Sequence, residues 1–272
     1  MSKPEISVLM TAYNAQSYIA LSISGILNQT FNDFEFIIID DNSTDKTWQI
    51  ISEFQKKDSR IKIFKNETNQ GITKNRNKLI SLAVGKYIVW QDADDISFST
   101  RLEKQYDFMQ SHPEVGLCGS WLKFFNDNKG VISIRKYAAT DNLLRKNIFK
   151  YSPVAQPAAI IRREVFKQVG KYNEKFSVAE DLEMSFRIGK KYKFANIQEV
   201  LVRYREQSKS ITFKKLKELE LNTLKIRLSF KKDSDYKFKF SDALYNLFQF
   251  LSIYIIPANL KVRIFNLIRN SR

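Results

Sequence analysis

The 272-residue sequence is poor in several things, and each scarcity removes a class of protein. Its one cysteine, Cys118, has no partner for an intramolecular disulfide, which suits a reducing compartment. Its one histidine, His112, lies in Ser111-His112-Pro113, which reads as the end of a surface helix, and no zinc-finger spacing occurs. The eight glycines form neither GxGxxG nor GxxxxGK[ST], which disfavours dinucleotide and P-loop sites. No apolar run is long enough to cross a bilayer: the candidate, Ala243 to Ile256, contains Asn246 and Gln249 and stops at Pro257. The opening MSKPEISVLMTAYN runs straight into a candidate strand, so no signal peptide is expected. Internal repeats and low-complexity segments are absent too.

What is present is a globular composition, 43 % hydrophobic, in a chain long enough for a substantial core. Positive charge is in excess, with 45 Lys+Arg against 29 Asp+Glu and a net charge of +16. Such a field attracts polyanions: nucleic acid, acidic lipid or phosphorylated substrates. Half of the excess, a net of +8, lies between residues 213 and 272, interleaved with Leu, Ile, Phe and Tyr. That segment reads as helical, either as an interfacial amphipathic anchor on an anionic membrane or as helices packed on the main domain with a solvated basic face.

The first hundred residues alternate between two periods. Strands are expected at Ile6–Met10, Phe34–Ile39, Ile61–Phe64 and Tyr87–Trp90. Helices are expected over Tyr18–Gln29, from the capping residues Asp41 to Thr44 as far as about Lys57, and over Ile72–Ala83 with Gly85 ending it. This predicts an α/β fold, a Rossmann-like, mostly parallel sheet flanked by helices. Farther on, Arg101–Met109 reads as a helix, Val115–Phe125 and Val131–Tyr137 as strands about a turn, and Ala158–Ile161 and Glu199–Tyr204 as further strands. Asp181–Lys190 reads as a helix opening on carboxylates.

In parallel sheets ligands bind beyond the carboxyl ends of the strands. Three polar clusters fall there: Thr11-Ala12-Tyr13-Asn14, Asp40-Asp41-Asn42-Ser43 and Asp92-Ala93-Asp94-Asp95. Closely spaced carboxylates suit Mg²⁺ or Mn²⁺, which leave coordination positions for substrate phosphates. A helix N-cap or a solvated turn would use the same residues. Asp40 and Asp41 are candidates for hydrogen bonds to a base or ribose, Tyr13 for stacking on a nucleobase, and Arg76 for a phosphate. Glu180-Asp181 is a second acidic pair, read either as a helix cap or as the seat of a general base.

Five segments in order, SVLMTAYN, IIIDDNSTDKT, NQGITKNRN, KYIVWQDADD and AEDLEMSFRI, resemble glycosyltransferase family 2 over about residues 5 to 212. The resemblance implies the nucleotide-diphospho-sugar transferase (type A) fold, with a catalytic domain over 1–212, divided into a nucleotide-sugar-binding half (1–98) and an acceptor half (99–212), and a basic helical extension over 213–272. It implies inverting transfer of a sugar from a nucleotide-sugar, UDP-linked by family habit, to an acceptor hydroxyl on a glycan or a lipid-linked carrier, as in bacterial surface polysaccharide synthesis. Carried over by motif, Thr11, Tyr13, Asp40, Asp41, Arg76, Asp92 and Asp94 would bind the donor, Asp94 and Asp95 a Mg²⁺ or Mn²⁺ ion, and Asp181 would be the base. Glu180, Arg187 and Gln207 would support them. The implied setting is cytoplasmic, peripheral to the inner face of the cell membrane.

Two positions depart from the family pattern. Gln207 stands where many relatives carry a late histidine, and Gln156-Pro157 where many carry His-Pro, so metal dependence is open. The competing reading is an inactive relative that binds a nucleotide or a partner. Charge-driven nucleic-acid binding is disfavoured, because three rim aspartates would repel phosphate without a metal.

Overall fold

The computed structural model describes residues 3–128, 130–206 and 215–271. Four strands, β1 (Ile6–Ala12), β2 (Phe34–Asp40), β3 (Ile61–Lys65) and β4 (Tyr87–Trp90), form a parallel core in the order β3-β2-β1-β4. Between them lie α1 (Ile19–Leu27), α2 (Thr47–Gln55) and α3 (Ile72–Leu82). Strand-helix alternation explains the parallel pairing, since each crossover returns the chain to the same edge direction.

Beyond β4 the sheet becomes mixed. β5 (Ile96–Ser97) and α4 (Arg101–Ser111) lead to a long strand, β6 (Val115–Asn126), which turns back as β7 (Gly130–Arg135). After α5 (Asp141–Lys146) and a 3-10 turn at Gln156–Ala158, β8 (Ile160–Arg162) inserts antiparallel between β4 and β6. Then come α6 (Arg163–Val169), α7 (Glu180–Gly189) and β9 (Lys193–Arg205), which runs parallel to β6 and antiparallel to β5. Strands from before and after residue 98 therefore share one sheet. Among the described residues three further helices follow, α8 (Leu216–Phe230), α9 (Phe240–Ile255) and α10 (Ala258–Arg269), and then β10 (Asn270–Ser271) beside β7.

The apolar runs of β1 and β2 are buried on both faces, as strands covered by two helical layers must be. Ile6, Val8, Met10, Phe36 and Ile38 pack with α1, α2 and α4; Leu9, Ile37 and Ile39 pack with α3 and α7. Each fully buried aliphatic side chain contributes roughly 1.5–3 kcal/mol.

Local differences from the sequence reading have physical causes. α2 starts at Thr47 after Lys46, and just before it Asp45 Oδ1 accepts from the Thr47 amide at 2.9 Å. Asp41 to Thr44 are used elsewhere. α3 ends at Leu82; Gly85 serves a close approach instead, since a Cβ there would lie 2.6 Å from the Ser7 amide nitrogen. β9 is longer than the expected 199–204 because its first half, rich in polar residues, is recruited by β6. His112 ends α4, stacked on Phe108, as its sequence context suggests. Cys118 is buried, and burial pushes its thiol up to about 12.

Candidate active site

The rim at the carboxyl ends of β1 and β2 is laced together by reciprocal bonds. Asn14 Oδ1 accepts from the Thr44 amide at 2.9 Å, Ser43 Oγ accepts from the Asn14 amide at 3.0 Å, and Gln16 Oε1 accepts from the Lys46 amide at 3.0 Å. Asn14 takes φ 48°, a left-handed conformation that asparagine tolerates well. This holds Tyr13 outward, 52 % exposed, with Thr11 behind it at the end of β1. An exposed aromatic ring on a fixed backbone is suited to stacking.

Asp40 and Asp41 are both buried and already engaged. Asp40 accepts from the Ser43 hydroxyl through Oδ1 and from the Ser43 amide at 3.2 Å through Oδ2. Asp41 Oδ1 accepts from Asn66 Nδ2 and the Gln70 amide, each at 2.8 Å, and its Oδ2 accepts from the Gly71 amide at 2.9 Å. Gly71, at φ +81°, is the N-cap of α3. Asp41 thus fixes the loop that launches α3, a role its sequence context does not display.

α3 carries Arg76, 5 % exposed. Its guanidinium donates to the Glu180 carboxylate at the start of α7, lies 3.8 Å from Asp92 Oδ1, and sits 5.4 Å from the Trp90 ring centroid. Arg76 therefore joins the two acidic segments rather than pointing into open solvent. Burial pushes the Glu180 carboxyl up to about 7 in spite of Arg76. Asp181 follows in the first turn of α7. Burial raises its carboxyl too, while Arg76 and the amides of Leu182 and Asp181 itself hold it back. A raised carboxylate is a better proton acceptor near neutral pH. Arg187, two turns on, chelates Glu183 at 2.7–3.0 Å and donates to the carbonyls of Val169 and Lys171. It anchors α7 and does not touch the carboxylates of Glu180 or Asp181.

The DxDD segment follows β4. Burial, and then the Asp92 charge, push the Asp94 carboxyl up to about 6. Asp95 is 1 % exposed; its Oδ1 accepts from the Arg205 amide at 2.8 Å, and its buried Oδ2 has no hydrogen-bond partner among the described residues. Burial, then Asp94 and Asp92, raise Asp95 well above the usual carboxylate range. Arg205, at the end of β9, also donates through Nε to the Asp94 carbonyl at 2.8 Å, pairs with Asp127, and lies 4.6 Å from the Tyr18 ring centroid. Nothing in the sequence distinguishes Arg205 from the 44 other basic residues, yet it seals the acidic turn. Gln207 lies outside the described residues. Gln156, at the other departure from the pattern, donates to the Tyr172 hydroxyl at 2.8 Å.

Among the described residues no three His, Cys, Asp or Glu side chains form a metal cage. Mg²⁺ and Mn²⁺ need no such cage: one or two carboxylates suffice when phosphates and water complete the shell. Asp92 and Asp94, all-oxygen donors crowded enough to raise Asp94, fit that pattern. Asp95 lies behind them, tied to β9.

The comparisons agree with this architecture. The family model for glycosyl transferase family 2 matches residues 7–170, a span that takes in the rim, Arg76 and the DxDD turn and stops short of α7. An uncharacterized glycosyltransferase of Methanocaldococcus jannaschii is 37 % identical over 227 residues, 81 % of this chain and 77 % of that protein. The UDP-Glc:alpha-D-GlcNAc-diphosphoundecaprenol beta-1,3-glucosyltransferase WfaP of Escherichia coli is 30 % identical over 223 residues, 81 % of this chain and 85 % of that protein. Among solved structures, the mannosyltransferase PcManGT of Pyrobaculum calidifontis, in complex with GDP-Man and Mn²⁺, superposes with a TM-score of 0.66 at 16 % identity, over 94 % of this chain and 71 % of that one. With a family match over more than half of its length, and a curled α/β sheet that follows the type A transferase fold, the chain belongs to glycosyl transferase family 2 and is a glycosyltransferase.

Proposed function

We propose that this enzyme transfers a sugar, with inversion, from a nucleotide-diphospho-sugar to a hydroxyl of a lipid-linked or growing glycan in bacterial surface polysaccharide synthesis. The observation that carries the reading is the apposition of two acidic segments about Arg76: Asp92 beyond β4 on one side, Glu180 and Asp181 at the start of α7 on the other. One acidic segment serves the donor and the other the acceptor. WfaP, named for a UDP-glucose donor and a diphosphoundecaprenol-linked acceptor, supports a UDP donor and a lipid-linked acceptor here.

In this reading Tyr13 stacks on the base, and Thr11, Asp40 and Asp41 form the floor beneath it. Asp41 does so while holding the α3 loop, so that base binding and the position of Arg76 depend on one carboxylate. Asp92 and Asp94 are the groups that would hold a Mg²⁺ or Mn²⁺ ion, which when bound supplies positive charge to offset that of the diphosphate. Asp181 accepts the proton of the acceptor hydroxyl as its oxygen attacks the anomeric carbon. The bond to the diphosphate breaks on the opposite face, which inverts the centre. A positioned base of this kind contributes roughly 10²–10⁴-fold. Arg76 pairs with Glu180 and so ties the start of α7, which carries Asp181, to α3.

Calorimetric titration of the purified protein with UDP, GDP and dTDP, each with Mn²⁺ and with EDTA, tests the donor site. Metal-dependent binding of UDP in preference to the others is expected. A folded protein that binds none of the three would overturn the reading in favour of a partner-binding relative without activity.

A further inference from the structure

The last two long helices are packed inside out. In α9 the two fully buried residues are polar: Asp242 and Asn246 are 1 % and 5 % exposed. Asn246 Nδ2 donates to the Phe149 carbonyl at 3.0 Å, and Gln249 Oε1 accepts from Arg227 Nη1 at 2.8 Å. The outward residues are Phe240, Leu244, Leu247, Phe248, Leu251 and Tyr254, which lie along one helical stripe; Phe248 is 66 % exposed and Tyr254 63 %. α10 repeats the inversion. Lys261 pairs with Glu220 at 2.7 Å and Asn266 accepts from Arg135 at 2.8 Å, while Leu260, Phe265 and Leu267 are exposed.

Of the 19 large hydrophobic side chains exposed among the described residues, 12 fall between Phe240 and Leu267. A helix on the surface of a water-soluble domain turns its apolar stripe to the core. An exposed apolar stripe of this kind marks an interaction site.

Charge selects the partner. α9 has one charged side chain, Asp242, and it is buried, so the stripe itself is neutral. Its borders are basic. Lys239 precedes Phe240, Lys217 Nζ lies 5.2 Å from the Tyr254 ring centroid, and Arg263 is exposed on α10. Residues 213–272 carry a net +8. A second copy of this chain would set one basic border against another, which opposes association. An anionic bilayer offers the complement, an apolar interior beneath a negative surface. Among the described residues no helix is long and apolar enough to cross a membrane, so the contact is with one leaflet.

We infer that the outer faces of α9 and α10 form one docking surface that seats the enzyme on an anionic lipid bilayer. The inference deepens the acceptor side of the proposed function. α8 links the surface to the active site, since Asn222 Nδ2 donates to the Val178 carbonyl at 3.2 Å and Glu218 accepts from the Ser177 hydroxyl, just before α7. A lipid-linked acceptor would then reach Asp181 from the surface that holds the protein.

The test is sedimentation of the full chain with phosphatidylcholine vesicles, with and without phosphatidylglycerol, at low and high salt. Binding only to the anionic vesicles, weakened by salt, is expected. A Leu247→Glu/Leu251→Glu variant, altered only at outward positions, should lose at least about tenfold in vesicle affinity while keeping its circular dichroism and UDP binding. A Lys217→Glu/Lys239→Glu variant, which leaves the stripe intact, should lose the preference for anionic lipid. Three results would each overturn the inference: no vesicle binding by the wild type, unchanged binding by the first variant, or a wild-type dimer that this variant dissolves. Vesicle binding is read without any transfer reaction, so this inference and the proposed function can fail separately.

Discussion

Arg76 on α3 and Glu180 at the start of α7 form a buried ion pair across 104 positions of sequence, with side chains 7 % and 5 % exposed. Breaking a buried pair by removing one partner typically costs about 3–5 kcal/mol, because the remaining charge is stranded. Arg76→Met is therefore expected to lower unfolding stability by that order in urea titration. Arg76→Met/Glu180→Met should cost less than the sum of the single changes. Additive single changes would show that the pair is not coupled.

Among the described residues the Asp181 carboxylate accepts only from the amides of its own helix turn, which its amide analogue can also satisfy. Asp181→Asn should lower kcat by roughly 10²–10⁴-fold while UDP affinity changes little. Unaltered turnover would remove the base assignment.

Asp41 accepts three hydrogen bonds from the loop and side chains that lead into α3. An amide at this position must turn its NH2 toward one of those donors. Asp41→Asn is expected to lower the melting temperature by roughly 2–4 °C per kcal/mol lost, even without nucleotide. A variant as stable as wild type but deficient in UDP binding would assign Asp41 to the base alone.

Stability should depend on pH in an unusual direction. Asp94 and Glu180 have folded pKa values raised to about 6 and about 7, above their unfolded values. The folded state therefore binds more protons than the unfolded chain between about pH 4 and 7, and stability falls as pH rises through that window. Asp45, Asp58 and Asp233 are lowered, and their contribution is lost below about pH 4. Thermal unfolding of the metal-free protein is expected to peak near about pH 5, and Mn²⁺ should raise the melting temperature more at pH 8 than at pH 5.

How much of this was legible depended on the range of the interactions. β1, β2 and β4 are runs of apolar residues buried on both sides, so their sequence and their environment carry the same information. β5 has two residues and exists because β9 pairs with it; α5 and α6 are six and seven residues long, too short for a periodic signal. The acidic residues were visible as a motif, and their rim position followed from the parallel sheet. Their division of labour was hidden, since Asp41 is spent on residues 66 to 71 and Asp95 on Arg205. Arg205 has the identity of any surface arginine until β9 brings it back across 110 positions to Asp95. The apolar residues of α9 were plain in the sequence, but the direction they face is settled by where Arg227 and Phe149 take up its polar groups.

The lacing of the first rim and the sealing of the acidic turn also differ in when they can happen. Asn14 meets Thr44 across 30 positions, so this corner needs only a short loop to close. Asp95 waits for Arg205. A chain that ended before Arg205 would therefore leave the Asp95 carboxylate without the amide that caps it.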